Sequence, residues 1–119
     1  RCVQQSCERD RFVKRRVLID LETTALTPER GEILRLYARD LNDPSLKFDQ
    51  LVKPKRPLSK LVQQITGVTN EMVRDASSID TALPEFLDFL DHADVIVSDY
   101  GDDLAFLTQS IEQLTHRSN

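Results

Sequence analysis

Val17-Leu18-Ile19-Asp20-Leu21-Glu22-Thr23-Thr24 decides the reading of this chain, because an apolar run ends there in two carboxylates one residue apart. Successive side chains of a strand point to opposite faces, so Asp20 and Glu22 share one face, about 7 Å apart, and Leu21 points away. The unbroken Val17-Leu18-Ile19 run is that of a strand buried within a sheet. Two negative charges fixed on one rigid surface repel each other unless a cation or proton lies between them. The pair is therefore a candidate for holding divalent metal ions, although acidic residues also close strands simply as turn formers.

Outward from this strand, Thr27-Pro28-Glu29-Arg30-Gly31 reads as a turn and Ile33 to Leu41 as a second strand. In that strand Ile33, Arg35, Tyr37 and Arg39 alternate with Leu34, Leu36 and Ala38. Asn42-Asp43-Pro44-Ser45 turns the chain into a third strand, Leu46 to Val52. Three strands joined by short turns imply an antiparallel meander. Pro54 and Pro57 then bracket a stiff, basic connection containing Lys53, Lys55 and Arg56.

Beyond it the period becomes helical. Leu58, Leu61, Val62 and Ile65 fall on one stripe, and Gly67 is a natural stop. Thr69 can cap a short helix running to Arg74. A longer helix places Leu83, Phe86, Leu87 and Leu90 on one face, with Pro84 expected in its first turn and His92 as a cap at its C-terminal end. Asp94 to Ser98 reads as a fourth, buried strand. Leu104, Leu107, Ile111 and Leu114 build a last helix with Asp102 and Asp103 in its first turn, where acidic residues also serve as caps and complement the helix dipole.

A strand reached through helices from the far side of a meander usually runs parallel to a central strand. The expected class is thus α/β, a mixed sheet of an antiparallel three-strand meander plus one parallel strand, with flanking helices. That order brings the start of the last helix beside the end of the first strand, where Asp103 can meet Asp20 and Glu22.

At 119 residues and 39% hydrophobic composition, with no apolar run near transmembrane length, the chain reads as one globular domain with no membrane partner. A net charge of −4 argues against a broad basic surface that wraps a duplex, while leaving room for a small cleft that takes a strand end. Cys2 and Cys7 have no further cysteine or nearby histidine to complete a zinc site and read as incidental. Nothing resembles a signal peptide, so a reducing, cytoplasmic setting is the default expectation. Residues 1–14 read as a polar tail or linker before a domain over 15–119, and the initial arginine suggests a piece of a longer protein.

Three segments carry a family resemblance: residues 17–24; Ile65-Thr66-Gly67-Val68-Thr69-Asn70-Glu71-Met72-Val73; and Val95-Ile96-Val97-Ser98-Asp99-Tyr100-Gly101-Asp102-Asp103-Leu104-Ala105-Phe106-Leu107. In this order they resemble the DEDD 3′-to-5′ exonucleases of the proofreading, epsilon-subunit-like type, which have a ribonuclease H-like fold. The resemblance implies hydrolysis of phosphodiester bonds at the 3′ ends of single-stranded DNA or RNA, within a replication or repair protein or a polymerase assembly. It implies that Asp20, Glu22 and Asp103 hold two Mg²⁺ or Mn²⁺ ions about 4 Å apart, one generating hydroxide and one stabilising the leaving 3′ oxygen. Oxygen-only ligands suit such hard cations.

By the same resemblance Glu22, Thr23 and Thr24 contact the terminal nucleotide, and Ile65, Gly67 and Val68 lie beside its base. A plainer reading of the last three is that Ile65 completes a buried stripe and Gly67 ends the helix. The chain departs from the family in two places. Asp99-Tyr100 stands where members carry a His-Asn pair, with one residue fewer before Asp103, which makes Asp102 a rival ligand. The family's third motif, a histidine base followed five residues later by an aspartate, has no match within these 119 residues. His116, 13 positions after Asp103, falls on the same helix and therefore about 20 Å from it. A second reading follows from these departures, in which a degraded exonuclease-like domain acts as a protein or nucleic-acid binding module.

Overall fold

The computed structural model describes residues 14–98 and 102–118. Most of the polar N-terminal stretch with its two cysteines, together with Asp99, Tyr100 and Gly101, lies outside the described residues. Within them the order is β1 (Arg16–Thr23), β2 (Ile33–Asp40), β3 (Lys47–Leu51), α1 (Lys60–Thr66), α2 (Asn70–Val73), α3 (Ile79–Leu90), β4 (Val95–Ser98) and α4 (Asp103–Ser118). The strands form one sheet in the order β3-β2-β1-β4. β1 pairs antiparallel with β2 and parallel with β4, and β2 pairs antiparallel with β3. This is the expected mixed α/β sheet, with β1 between the meander and the parallel strand.

Alternation along β1 sends Val17, Ile19 and Leu21 into the main core, where they meet Leu36, Ala38, Phe86, Leu90, Phe106 and Leu107. Phe86 is fully buried from α3, and Phe48 of β3 packs edge-on against it at 5.4 Å between ring centroids. Leu34, Leu58, Val68 and Val73 make a second, smaller core under α1 and α2. Ser59 caps α1 by accepting the Val62 N–H at 3.1 Å, and Gly67 ends it in the left-handed region at φ 78°. Thr69 caps α2 by accepting the Met72 N–H at 3.2 Å. Asn70 ties the two helices together, accepting the Leu58 N–H at 2.7 Å and donating to the Leu58 carbonyl at 3.1 Å.

Several sequence expectations need correction. Ile33 is buried in the main core instead of lying on the polar face of β2, because the β1/β2 register shifts between Glu22 and Thr23 and frees Ile33 from strict alternation. Leu61, Ile65 and Leu104 are exposed at 63%, 73% and 51%, so the apolar stripes of α1 and α4 are only partly inward. Phe106, beside Leu107, takes the core place expected of Leu104. Pro84 is the sixth residue of α3, not in its first turn, because that helix already starts at Ile79. An interior proline costs about 3 kcal/mol; burial of Ala82, Leu83, Phe86 and Leu90 around it offsets that loss. The residue at the end of α3 that donates back into the helix is Asp91, not His92, which is exposed in the turn beyond. β4 is an edge strand with Ile96 40% exposed, not a fully buried one.

These burials predict a contrast measurable by urea denaturation. Phe86→Ala should lower the unfolding free energy by about 3–5 kcal/mol, whereas Ile65→Ala, on an exposed apolar side chain, should change it by less than about 0.5 kcal/mol.

Candidate active site

Asp20 and Glu22 emerge on the face of β1 away from the helices, opposite Tyr37 and Arg35 of β2. The helices cover the other face because Val17, Ile19 and Leu21 occupy it. Asp103 arrives from the first residue of α4, directed there by the parallel pairing of β4 with β1, which aligns Ser98 with Ile19. Its carboxylate accepts the Leu21 N–H at 3.2 Å and the Ser98 hydroxyl at 3.5 Å. The side chain 82 positions along the sequence is thereby fixed to the backbone between Asp20 and Glu22.

Asp20, Glu22, Asp102 and Asp103 line one cavity of about 460 Å³. Of the rival aspartates, Asp103 is the half-buried one that bonds to β1, and Asp102 is exposed at the rim. Burial pushes the Glu22 carboxyl above its ordinary value, the charges of Asp20 and Asp103 push it further, and Arg35 opposes them. Burial likewise raises the Asp103 carboxyl, with Asp20 and Asp102 adding to it, while the Leu21 N–H and the Ser98 hydroxyl pull it down. The shifts of Glu22 and Asp103 thus reflect burial first and then the crowding of four carboxylates, Asp20, Glu22, Asp102 and Asp103, in one recess.

This chemistry fits a hard cation, since the donors are all carboxylate oxygens and their mutual repulsion is what a divalent ion relieves. Among the described residues no three acidic, histidine or cysteine side chains are drawn close enough to clasp a single ion. The geometry thus supplies a shared acidic recess, not a closed ligand cage.

The rest of the cavity wall is apolar or small. Leu26 and Ile65, exposed at 90% and 73%, present two bare aliphatic side chains to it, and Phe106 lies behind them. This replaces the plainer reading in which Ile65 completes a buried stripe. Thr23 and Thr24 also line the cavity, but their hydroxyls are already engaged. Thr23 donates to the Ala25 carbonyl at 2.8 Å, and Thr24 accepts the Glu32 N–H at 2.8 Å. They therefore hold the loop after β1 in shape. Gly31 permits this fold of the loop, since a Cβ there would meet the Ala25 nitrogen at 2.6 Å.

Gly67 and Val68 are not brought to the cavity. Gly67 terminates α1, and Val68 is buried in the second core. His116 is exposed near the far end of α4, which is continuous from Asp103 to Ser118. At 1.5 Å per residue it lies about 20 Å along the axis from Asp103.

Two features were not singled out from the sequence. Leu26 had no signal beyond being an apolar residue in a turn. Arg35 could have been suspected from strand pairing, since it is the partner of Glu22 across the sheet. It forms a bidentate ion pair with Asp49, at 2.8 and 2.6 Å, and stands over the Tyr37 ring at 5.7 Å.

The sequence model of the exonuclease family matches residues 17–116. Over 100 residues the chain is 35% identical to a DNA polymerase III PolC-type of Thermotoga petrophila, a match covering 82% of this chain and 7% of that protein. It is 30% identical over 100 residues to the DNA polymerase III PolC-type of Caldanaerobacter subterraneus, with the same two coverages. The chain thus spans about 7% of the length of these curated relatives. In structure it is similar to the nuclease domain of 3′hExo, a DEDDh family member solved with rAMP bound, at a TM-score of 0.71 and 22% identity over 90% of this chain and 62% of that one. It also resembles product-bound exonuclease I, with a TM-score of 0.71 and 14% identity over 85% of this chain and 26% of that one. No helix among the described residues is long and apolar enough to cross a membrane. With its sheet order, its acidic recess and a family match over most of its length, the chain belongs to the exonuclease family, among the DEDD 3′-to-5′ exonucleases of the ribonuclease H-like superfamily.

Proposed function

We propose that this domain hydrolyses phosphodiester bonds one nucleotide at a time from the 3′ end of a single DNA or RNA strand, as part of a larger, polymerase-associated protein. The observation that carries the reading is the seating of Asp103 on the Leu21 N–H, between Asp20 and Glu22, beside an apolar wall. Asp20, Glu22 and Asp103 would hold Mg²⁺ or Mn²⁺, two ions in all. When bound, these ions lower the pKa of an attacking water and stabilise the charge on the departing oxygen. The Leu21 N–H keeps Asp103 aimed at the recess. Leu26 and Ile65 offer aliphatic surface to the faces of the terminal base, excluding water from one side of the reacting phosphate. The loop of Thr23 and Thr24, braced internally, closes the wall behind the last sugar. His116 plays no part at that distance, so the proton of the attacking water is not taken up by a histidine of α4.

The second reading, a binding module with a degraded site, is favoured by Asp99-Tyr100 in place of the family's His-Asn pair. One assay separates the two. With a 5′-labelled single strand, the protein that contains this domain should shorten the label progressively in Mg²⁺ or Mn²⁺, and Asp20→Ala should reduce the rate at least about a thousandfold, the scale lost with electrostatic stabilisation of a transition state. Equal shortening in excess chelator would exclude the metal mechanism, and tight binding of the strand without any cleavage would favour the module.

His116→Ala should leave the cleavage rate within about twofold of the parent, since exposed positions remote from the reacting atoms carry little transition-state energy. A loss of tenfold or more would return His116 to the mechanism.

The raised carboxyls of Glu22 and Asp103 also predict a stability profile. Where the folded value lies above the unfolded one, the stabilising contribution is complete below the unfolded value and is lost as pH rises through it to the folded value. Above both values the folded protein therefore carries the repulsion in full. Glu22→Gln should stabilise the fold at pH 7 by a few tenths of a kcal/mol, the scale of a like-charge contact in a sheet, and the gain should vanish below about pH 4. Thermal unfolding followed by circular dichroism across this range checks it, and a variant that melts below the parent at pH 7 contradicts it.

A further inference from the structure

The acidic recess adjoins a second cavity of about 420 Å³, and Thr24, Val62 and Phe106 line both. The wall of this neighbour carries Arg30, Lys55 and Arg56, all exposed. None of the three side chains forms a salt bridge among the described residues. The sequence concentrates charge here. Residues 50–70 hold four cations, Lys53, Lys55, Arg56 and Lys60, and no carboxylate, in a chain whose net charge is −4.

The cationic loop is also fastened to the recess. Pro54 and Pro57 restrict its backbone on either side. The Lys55 N–H donates to both carboxylate oxygens of Glu32 at 3.0 and 3.1 Å. Glu32 in turn donates its N–H to the Thr24 hydroxyl at 2.8 Å and accepts the Thr24 N–H on its carbonyl at 2.9 Å. A single residue thus links the wall of the acidic recess to the loop that carries Lys55 and Arg56. Of the two acids beside this second cavity, Glu32 spends its carboxylate on that backbone amide, and Glu29 is exposed at the rim.

We infer that Arg30, Lys55 and Arg56 form a track for the sugar–phosphate backbone upstream of the nucleotide being removed. The inference rests on the exonuclease reading above and adds where the remainder of the strand lies. The strand leaves the recess across Thr24 and Val62 and places successive phosphates against the three cations, releasing condensed counterions as it does so. This arrangement gives an acidic protein grip on a polyanion without a basic surface. It makes affinity depend on strand length, because a lone nucleotide reaches the recess but not the track.

The test compares two ligands, with Ca²⁺ present as a hard cation of the same oxygen preference that slows turnover. One is a thymidine mononucleotide and the other an oligothymidylate of roughly twelve residues, within the span of single-strand sites. The Lys55→Ala/Arg56→Ala double variant should bind the oligonucleotide about tenfold or more weakly at 0.1 M salt, with the log–log salt slope reduced in magnitude by about 1.4, two contacts at 0.7 each. It should bind the mononucleotide as the parent does. Lys55→Arg/Arg56→Lys should restore the salt slope. Unchanged oligonucleotide affinity and slope in the alanine variant would overturn the track. Equal weakening of mononucleotide and oligonucleotide would overturn it too, by showing that the loop acts only on the recess. Failure of the parent to bind the mononucleotide would instead sink the exonuclease reading on which the track depends.

Discussion

The structure depends on the two-residue period of a single strand. β1 is central in its part of the sheet, paired with β2 along one side and with β4 over Arg16 to Ile19 on the other, which leaves the Leu21 amide just beyond that pairing for Asp103. Its inward side chains, Val17, Ile19 and Leu21, anchor the main core, and its outward Asp20 and Glu22 can therefore face only the open side. Repulsion between two carboxylates is tolerated because moving either one inward would place a charge among Phe86, Phe106 and Leu107, at a far greater cost. The apolar half of the strand thus holds the acidic half in place, and sliding the register by one residue would exchange them.

The second constraint is the parallel pairing of β4 with β1. It turns a contact between residues 82 apart in sequence into a local one, since α4 starts just past the end of β4 and its first carboxylate reaches the Leu21 amide. One backbone hydrogen bond both opposes the burial-driven rise of the Asp103 carboxyl and aims it into the recess. Folding energy and site geometry are here the same interaction.

Much of this was legible in the sequence, for identifiable reasons. The three strands of the meander, the cap at Thr69 and the stop at Gly67 follow from short-range chemistry, which the chain states locally, whereas the Ser59 cap was not read from it. Asp20, Glu22 and Asp103 could be brought together by topology alone. What the sequence hid is what depends on packing. The exposure of Ile65 and Leu104 could not be read from helical periodicity, because a stripe says which residues share a face and not whether another element covers it. The inward turn of Ile33 came from a register shift at the end of β1, and the interior position of Pro84 from a helix that begins earlier than its apolar spacing suggests. The assignment of Gly67 and Val68 to the base was carried by resemblance, whereas the geometry gives one to the helix end and the other to the small core.

The bidentate embrace of Arg35 by Asp49 has a bearing on the recess that distance alone does not convey. A guanidinium directly across the sheet from Glu22 is an internal counter-ion, able in principle to neutralise the acidic group by folding onto it. By occupying both prongs of the fork, Asp49 keeps that cation a spectator whose field tempers the Glu22 charge without quenching it. The third strand, remote from any reacting atom, in this way preserves the valence of the first: the carboxylates stay available to an external ion because the protein's own cation is already spoken for.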